Sequence, residues 1–330
     1  MKNITIADIA KEAGVSKSTV SRVISHPELV KPTTRKRIMA IVEKYSYIPN
    51  QLAQNLAGAP TKTIGVVIDE LSNFFFIEIA EGVDQILGSL QYAMQLSSSH
   101  WLQARETAII RSLISNRVDG ILLSPILAKS NSITMLKNSG IPFVVVNCIP
   151  EEKDVAYVSC DNVAGGKLAA EYINQRLRDK TILITGFAHQ TLSDRVKGFY
   201  DVISPDINIQ HYSEINTFKD GYDLVPILLT RDQIDKVKTT LFVTNDNVAI
   251  GIINHLLELG INIPKQVSVI GYDNIRLSEF SQIPLTTISQ SIRDMGKIAA
   301  IELMEMIKDK DHPIPRHLIQ PKLIERRSSC

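Results

Sequence analysis

The chain has 330 residues, more than a single hydrophobic core usually holds, so at least two compact units are expected. A hydrophobic fraction of 44% and a charged fraction of 22% are typical of a globular protein, and no apolar run approaches the roughly 20 residues of a membrane span. This excludes a membrane protein, and the broken apolar pattern of the first residues predicts a cytoplasmic location.

The chain has three cysteines, Cys148, Cys160 and Cys330. They are too few and too scattered for a disulfide framework or a metal site, so neither metal nor cofactor is expected.

The formal net charge of +1 conceals an uneven distribution along the chain. Residues 1–60 carry nine Lys or Arg against four Asp or Glu, whereas residues 61–330 carry 27 against 31. A small cationic end joined to a slightly acidic remainder predicts that only the first 60 residues meet a polyanion.

Helical spacing of apolar residues predicts three helices in that cationic end. The first runs from Ile6 to Ala13 behind Thr5 as N-cap, and Gly14 supplies the turn that follows. The second has Ser16 as its cap and runs to about Ser25, and the third covers residues 33–46, with Pro32 suited to its first turn. Its apolar positions predict that Ile38, Ile41, Val42 and Tyr45 close a small core.

The second predicted helix has two distinct sides when its residues are stepped at about 100° each. One side carries Val20, Val23 and Ile24, and the other carries short polar or cationic residues, namely Lys17, Ser18, Ser21 and Arg22. Such a polar side suits contact with base edges and phosphates in a major groove. From periodicity and charge alone, an ordinary three-helix bundle with a solvated charged face remains an alternative.

The string IADIAKEAGVSKSTVSRVISHPELVKPTTRKRI resembles the DNA-binding headpiece of the lactose-repressor (LacI/GalR) family. The resemblance implies a helix-turn-helix headpiece over residues 1–48 that grips operator DNA. The residues that it assigns to DNA contact in this headpiece are Thr5, Ser16, Lys17, Ser18, Thr19, Ser21 and Arg22.

The segment YIPNQLAQNLAG, residues 47–58, resembles the hinge helix of the same family, and the hinge helix with its linker is expected over residues 49–61. Asn50 is suited to cap a short helix in which Leu52, Ala53 and Leu56 recur at helical spacing. The resemblance assigns DNA contacts to Asn50, Ala53 and Leu56, with Leu56 as a wedge between base pairs of the minor groove. The alternative is that Leu56 packs against the headpiece or a dimer mate.

In residues 62–330, apolar strand-like runs alternate with helix-length segments, which is the rhythm of a parallel sheet. One series contains TIGVVID, GILLS and PFVVVN, and a second contains TILIT, TLFVTND and VSVIGYD. The resemblance continues along these series and implies a two-lobed, doubly wound α/β effector domain like the type I periplasmic sugar-binding proteins. Its expected lobes are residues 62–160 with 289–320, and residues 161–288 with 321–330.

Ligands of open parallel sheets bind beyond the carboxyl ends of the strands, so residues that follow strands are candidates for the effector site. Those residues are Asn147, Asn245, Asp246 and Asp273, and Arg195 adds a forked donor. Each has a structural alternative: Asp246 as a helix N-cap, Asn147 as a turn residue, and Arg195 as a partner of Asp194 or a solvated charge. The resemblance favours Arg195, Asn245 and Asp273 as effector contacts, keeps Asn147 as a candidate, and makes Asp246 structural.

Two departures from the family pattern affect the predicted pocket. Phe74 stands where a proline usually follows the asparagine, so either Phe75 or Phe76 is expected to form an apolar wall, with simple core packing as the alternative. Asn216 stands where many relatives have an aromatic residue five positions before a glycine, and Phe218 is the nearby candidate for stacking.

The resemblance implies a homodimeric repressor that binds a pseudo-palindromic operator and is gated by a small molecule. The amides and carboxylates of the predicted site suit hydroxyl groups, which favours a sugar or sugar phosphate as effector and a sugar-utilisation operon as target. A purine- or nucleoside-responsive regulator is the alternative, followed by a binding protein without DNA function. An enzyme is not expected, because no phosphate-binding glycine loop and no GxSxG serine is present. Ile301 stands where relatives with a protein co-regulator have an arginine, and the final ERRSSC has no heptads, which favours a dimer over a tetramer.

Overall fold

The computed structural model describes residues 4–25, 27–47, 60–176, 178–187 and 189–330. The chain divides into two compact units, residues 1–61 and residues 62–330. The predicted hinge contacts Asn50, Ala53 and Leu56 lie outside the described residues, as does the predicted boundary between residues 48 and 49.

The first unit contains three α-helices and one 3₁₀ turn in its described residues: α1 (Ile6–Ala13), α2 (Lys17–Ser25), the turn (Pro27–Leu29) and α3 (Pro32–Lys44). Thr5 and Asp8 form a reciprocal capping box at the start of α1, and Gly14 ends that helix with a φ of 61°. The Ser16 hydroxyl accepts a hydrogen bond from the Thr19 amide at 3.2 Å, so Ser16 opens α2 as predicted.

The core of this unit is built from one side of each helix. Ile9, Val20 and Ile38 are fully buried, each on a different helix. The prediction for Tyr45 was wrong, because α3 ends at Lys44 and the Tyr45 side chain is 37% exposed. The ammonium group of Lys44 lies over the Tyr45 ring, and Tyr47 packs against the core instead.

The second unit contains two six-stranded sheets in its described residues. The first sheet has the order β11-β5-β4-β3-β1-β2. Its strands are β1 (Thr63–Ile68), β2 (Ala93–Ser98), β3 (Gly120–Leu123), β4 (Phe143–Val146), β5 (Tyr157–Cys160) and β11 (Arg316–Ile319). All of its recorded strand pairs are parallel, and helices α4 (Phe74–Ser89), α5 (Gln103–Ser115), α6 (Asn131–Ser139) and α12 (Ile292–Lys308) complete this first lobe.

The second sheet has the order β12-β10-β9-β8-β6-β7 and is parallel except for the β10–β12 pair. Its strands are β6 (Lys180–Ile184), β7 (Ile209–Tyr212), β8 (Thr239–Val243), β9 (Val267–Asp273), β10 (Thr286–Ser289) and β12 (Lys322–Ile324). The second lobe also holds α7 (Asn162–Asn174), α8 (Gln190–Val202), α9 (Phe218–Asp232), α10 (Asp246–Glu258) and α11 (Arg276–Phe280).

The central strands are apolar because helices cover both faces of each sheet. β3, β4 and β8 are buried along their whole length, which explains their continuous runs of Val, Leu, Ile and Phe. The chain crosses between the lobes after β5, after β10 and after β11. This confirms the predicted two-lobed, doubly wound fold. None of the helices in the described residues combines the length and apolar character of a membrane span.

Candidate functional site

A cleft of about 610 Å³, part of it open to solvent, lies where loops at the carboxyl ends of strands from both lobes meet. Six of the seven side chains predicted for the effector line it: Phe75, Phe76, Asn147, Arg195, Asn245 and Asp273. The remaining lining residues are Glu70, Asn73, Trp101, Phe187, His189, Thr191, Leu192 and Asn216.

An aromatic chain forms one side of the cleft and runs from the first lobe to the second. Phe75 and Phe76 pack edge to face with centroids 5.2 Å apart, and Phe76 contacts Trp101 in the same manner at 6.1 Å. Trp101 in turn meets His189 of the second lobe at 5.8 Å. Both phenylalanines are almost fully buried, so they are core residues and cleft wall at once.

Arg195 is the fixed polar centre of the cleft and is 4% exposed. Its Nε donates to Asn162 Oδ1 at 2.9 Å, and its Nη1 donates to the Thr244 carbonyl oxygen at 2.5 Å and to Asp273 Oδ1 at 3.1 Å. The guanidinium also stacks on the Tyr272 ring at 3.8 Å from the centroid. These contacts hold the guanidinium in one orientation before any ligand arrives.

Two buried carboxyl groups stand at the ends of β8 and β9. Burial raises the pKa of Asp273, while Arg195 and the amide of Gln290, which donates at 2.7 Å, favour its charged form. Burial also raises the pKa of Asp246, and the nearby charge of Asp273 raises it further. The Thr287 hydroxyl and the Ile275 amide donate to the Asp246 carboxyl group, which makes Asp246 part of the framework of the second lobe.

The helix cap at the start of α10 is Asn245, and the predicted alternative that Asp246 is that cap was wrong. The Asn245 side chain accepts from the Val248 amide at 3.0 Å, and its own amide donates to the Asn216 carbonyl oxygen at 3.3 Å. Asn245 therefore combines a structural role with a place in the cleft lining.

Several residues around the cleft adopt positive φ angles, which are uncommon outside glycine. Trp101 has a φ of 59°, Asn147 of 60° and Asp273 of 117°. Asn147 is 5% exposed, and its Oδ1 atom has no hydrogen-bond partner in the described part of the protein. Buried strain and an unsatisfied acceptor at one cleft are features of a binding site.

The lobes contact each other directly around the cleft. Asn73 caps α4 by accepting from the Phe75 amide at 3.0 Å, and the same oxygen accepts from Asn247 of the second lobe at 2.7 Å. The Cys148 thiol donates to Gln190 Oε1 across the lobes at 3.2 Å. These contacts change if one lobe rotates against the other, so the site is coupled to lobe orientation.

The structure does not bring Phe218 to the cleft. Phe218 is the first residue of α9 and is 41% exposed, whereas Asn216, two positions earlier, lines the cleft. Trp101, His189 and Glu70 were missed from the sequence. Glu70 and His189 follow the predicted strands TIGVVID and TILIT, so the carboxyl-end rule could have selected them, whereas Trp101 follows β2, which was not predicted.

The polar side of α2 is open to solvent within the first unit. Ser16, Lys17, Ser18, Ser21 and Arg22 are exposed, Thr19 is half-buried, and Thr5 is occupied in the capping box of α1. The two sides of α2 are therefore divided as the sequence predicts, and the exposed side suits major-groove contact.

A cationic helix-turn-helix unit followed by a two-lobed unit with a ligand cleft defines a ligand-responsive DNA-binding regulator. The family model for bacterial regulatory proteins of the lacI family matches residues 5–50, and the model for the periplasmic binding protein-like domain matches residues 169–329. The HTH-type transcriptional repressor PurR of Vibrio cholerae serotype O1 is 33% identical over 330 residues, covering 98% of this chain and 97% of that protein. The chain belongs to the LacI family of transcriptional repressors, which confirms the resemblance, and it is not an enzyme.

Two solved structures show how far the likeness extends. A LacI family transcriptional regulator from Enterococcus faecalis V583 with bound ribose is 29% identical, with a TM-score of 0.73 over 81% of this chain and 98% of that chain. The lac repressor dimer bound to operator and the anti-inducer ONPF is 23% identical, with a TM-score of 0.82 over 99% of both chains. The second comparison establishes the shared fold alone.

Proposed function

We propose that this repressor binds a pseudo-palindromic operator as a homodimer and that a small polar effector in the cleft sets its affinity for DNA. The single observation that carries the proposal is the cleft itself, because fixed polar groups and an unsatisfied acceptor from both lobes converge there. A ligand that contacts both lobes favours one lobe orientation, and this differential binding is what couples effector to operator.

The DNA contacts proposed for the headpiece are the exposed residues of α2, above all Lys17, Ser21 and Arg22. A two-fold protein reads a two-fold operator, with one α2 helix in each major-groove half-site. Operator DNA is part of the bacterial chromosome, which lies in the cytoplasm. A protein with this function is therefore expected in the cytoplasm, as the sequence predicts. The predicted division into residues 1–48, 49–61 and 62–330 belongs to this proposal.

The hinge contacts Asn50, Ala53 and Leu56 rest on the family resemblance. Leu56→Gly removes the proposed wedge, so we expect severe loss of operator binding with effector binding retained. The matched change in the other unit, Asp273→Asn, should weaken effector binding instead. If either substitution reduced operator binding and effector binding equally, the assignment of DNA contacts to the hinge and of effector contacts to the cleft would be contradicted.

The effector class has two candidates. A sugar is the leading one, because amide and carboxyl groups of the cleft suit hydroxyl groups and a regulator that is 29% identical holds ribose. A purine or nucleoside is the second, favoured by the 33% identity to repressors named PurR and by the aromatic wall of the cleft. The proposed target in the leading case is a sugar-utilisation operon.

The test is selection of genomic DNA fragments by the full chain at physiological salt, followed by gel shifts on the fragments that it retains. We expect a preference over random duplex that changes when a sugar or nucleoside panel is added, and Arg22→Ala should cost about 1–3 kcal/mol in operator binding. Arg111→Ala, an exposed change in the second unit, is the control. No preference for any fragment, with or without the panel, would refute the proposed function.

A further inference from the structure

Among the described side chains that line the cleft, none offers a positive charge that is not already paired within the protein. Of the described side chains that line it, Arg195 carries the one permanent positive charge, while Glu70 and Asp273 are carboxyl groups. Burial lowers the pKa of His189, whose ring lies between Thr191 Oγ1 at 2.9 Å and the Pro125 carbonyl oxygen at 3.5 Å. The imidazole is therefore neutral at pH 7.

The positive charge of Arg195 is already matched within the protein. Its Nη1 is shared between the Asp273 carboxyl group and the Thr244 carbonyl oxygen, and its Nε is taken by Asn162. A phosphate needs several donors with a net positive charge around it, since its oxygens only accept and carry up to two negative charges. Because Arg195 and Asp273 offset each other, the Glu70 carboxyl group leaves the described lining with an excess of negative charge, and a phosphate there would meet like charge.

Asn147 favours a ligand that carries hydrogen-bond donors. Its buried Oδ1 lacks a donor, and an acceptor left in this way is costly unless a ligand supplies an O–H or N–H. Asn147 directly follows β4 and adopts a positive φ there. Glu70, whose Oε1 accepts from the Ser72 hydroxyl at 2.5 Å, is a second acceptor on the cleft wall.

Resting on the proposed function, we propose that the cleft selects an uncharged effector rich in hydrogen-bond donors and rejects the phosphate ester of the same molecule. Both a free sugar and a free nucleoside are uncharged and rich in hydrogen-bond donors, so either class fits this proposal. Asn147 selects for the donor group, and Glu70 selects against the phosphate. This narrows the predicted class of sugar or sugar phosphate to its neutral members.

The experiment is calorimetric titration of the full chain with two matched pairs, ribose with ribose 5-phosphate and inosine with inosine 5′-monophosphate. The same comparison is made for any other compound of the panel that binds. In whichever pair binds, we expect the neutral member to bind at least tenfold more tightly, a factor equal to about 1.4 kcal/mol. An ester that binds as tightly as its neutral partner, or more tightly, would overturn the inference while leaving the proposed function intact.

Two variants separate the roles of the cleft side chains. Asn147→Gly removes the acceptor and keeps a residue that adopts a φ of 60° without strain, so neutral-ligand affinity should fall at least fivefold with the fold retained. Glu70→Gln should raise affinity for the ester at least threefold and change the neutral member less. Glu171→Gln, an exposed change on α7, should leave both affinities unaltered.

Unchanged neutral-ligand affinity in Asn147→Gly, or an unchanged ratio of neutral to ester affinity in Glu70→Gln, counts against the inference. If neither pair nor any compound of the wider panel binds, the proposed function and the inference fall together. If the panel binds and only the discrimination is missing, the inference alone falls.

Discussion

Asp69 offers a sharp test of how burial sets the electrostatics of the first lobe. It follows β1 directly, is fully buried, and accepts hydrogen bonds from the Ser124 hydroxyl at 3.1 Å and the Ser99 hydroxyl at 3.4 Å. Burial, opposed by the hydrogen bond from Ser124 and aided by the nearby Glu106, raises the pKa of its carboxyl group from 3.8 to about 7. Asp69→Asn replaces the carboxyl group with a neutral group of the same shape.

The direction of the effect follows from which state holds the proton. Between about pH 4 and pH 7, folded Asp69 keeps a proton that the unfolded chain has released, so the free energy of unfolding falls as the pH rises. The rise of about three units in pKa corresponds to about 4 kcal/mol of stability lost by pH 8. Because Asn does not titrate, the stability of Asp69→Asn relative to the parent should rise by about 3 kcal/mol between pH 5 and pH 8.

Urea unfolding at pH 5, 6, 7 and 8 measures this difference, with the fluorescence of Trp101, the one tryptophan of the chain, reporting on the first lobe. Asp201→Asn removes an exposed carboxylate from α8 and is the matched control, which should show no comparable trend. A difference between Asp69→Asn and the parent that is constant with pH, or that shrinks as the pH rises, would refute the burial argument.

Three further changes test packing, capping and the buried ion pair. Ile38→Ala opens a cavity in the headpiece core and should cost about 2–5 kcal/mol of headpiece stability, measured by amide hydrogen exchange, with loss of gel-shift activity. Thr5→Ala removes the capping box of α1 and should cost about 1 kcal/mol in the same exchange measurement, so full retention of protection would contradict the cap. Arg195→Met leaves Asp273 buried without its partner and should cost about 3–5 kcal/mol in urea unfolding, whereas an unchanged midpoint would show that the pair contributes nothing.

The headpiece was predictable because its signals are local. The bounds of α1 follow from Thr5 and Gly14, whose capping geometry involves only neighbouring residues. The error at Tyr45 arose where α3 ends, since periodicity alone does not show which turn is the last one of a helix. Local rules therefore located α2 with its exposed polar side but not the edge of the supporting core.

In the second unit, the central strands were predictable from the sequence, but the edge strand β2, the strand order and the Arg195–Asp273 pair were not. Continuous apolar runs predicted the central strands, because helices bury both faces there. The edge strand β2 is half-exposed along most of its length and lacks such a run, so its carboxyl end, and Trp101 with it, went unrecognised. The order of strands in each sheet and the pairing of Arg195 with Asp273 depend on contacts between residues distant in sequence.

The absence of Phe218 from the cleft follows from how α9 begins. Thr217 and Asp220 form a capping box that starts the helix at Phe218, and Asn216 stays in the preceding loop beside the cleft. There the Asn216 side chain accepts from the Phe187 amide at 2.8 Å, and Phe187 lines the cleft. An aromatic ring of the cleft is thus supplied by the loop after β6, and Asn216 holds the backbone of that loop. This contact joins residues 29 positions apart, so no single-sequence pattern encodes it.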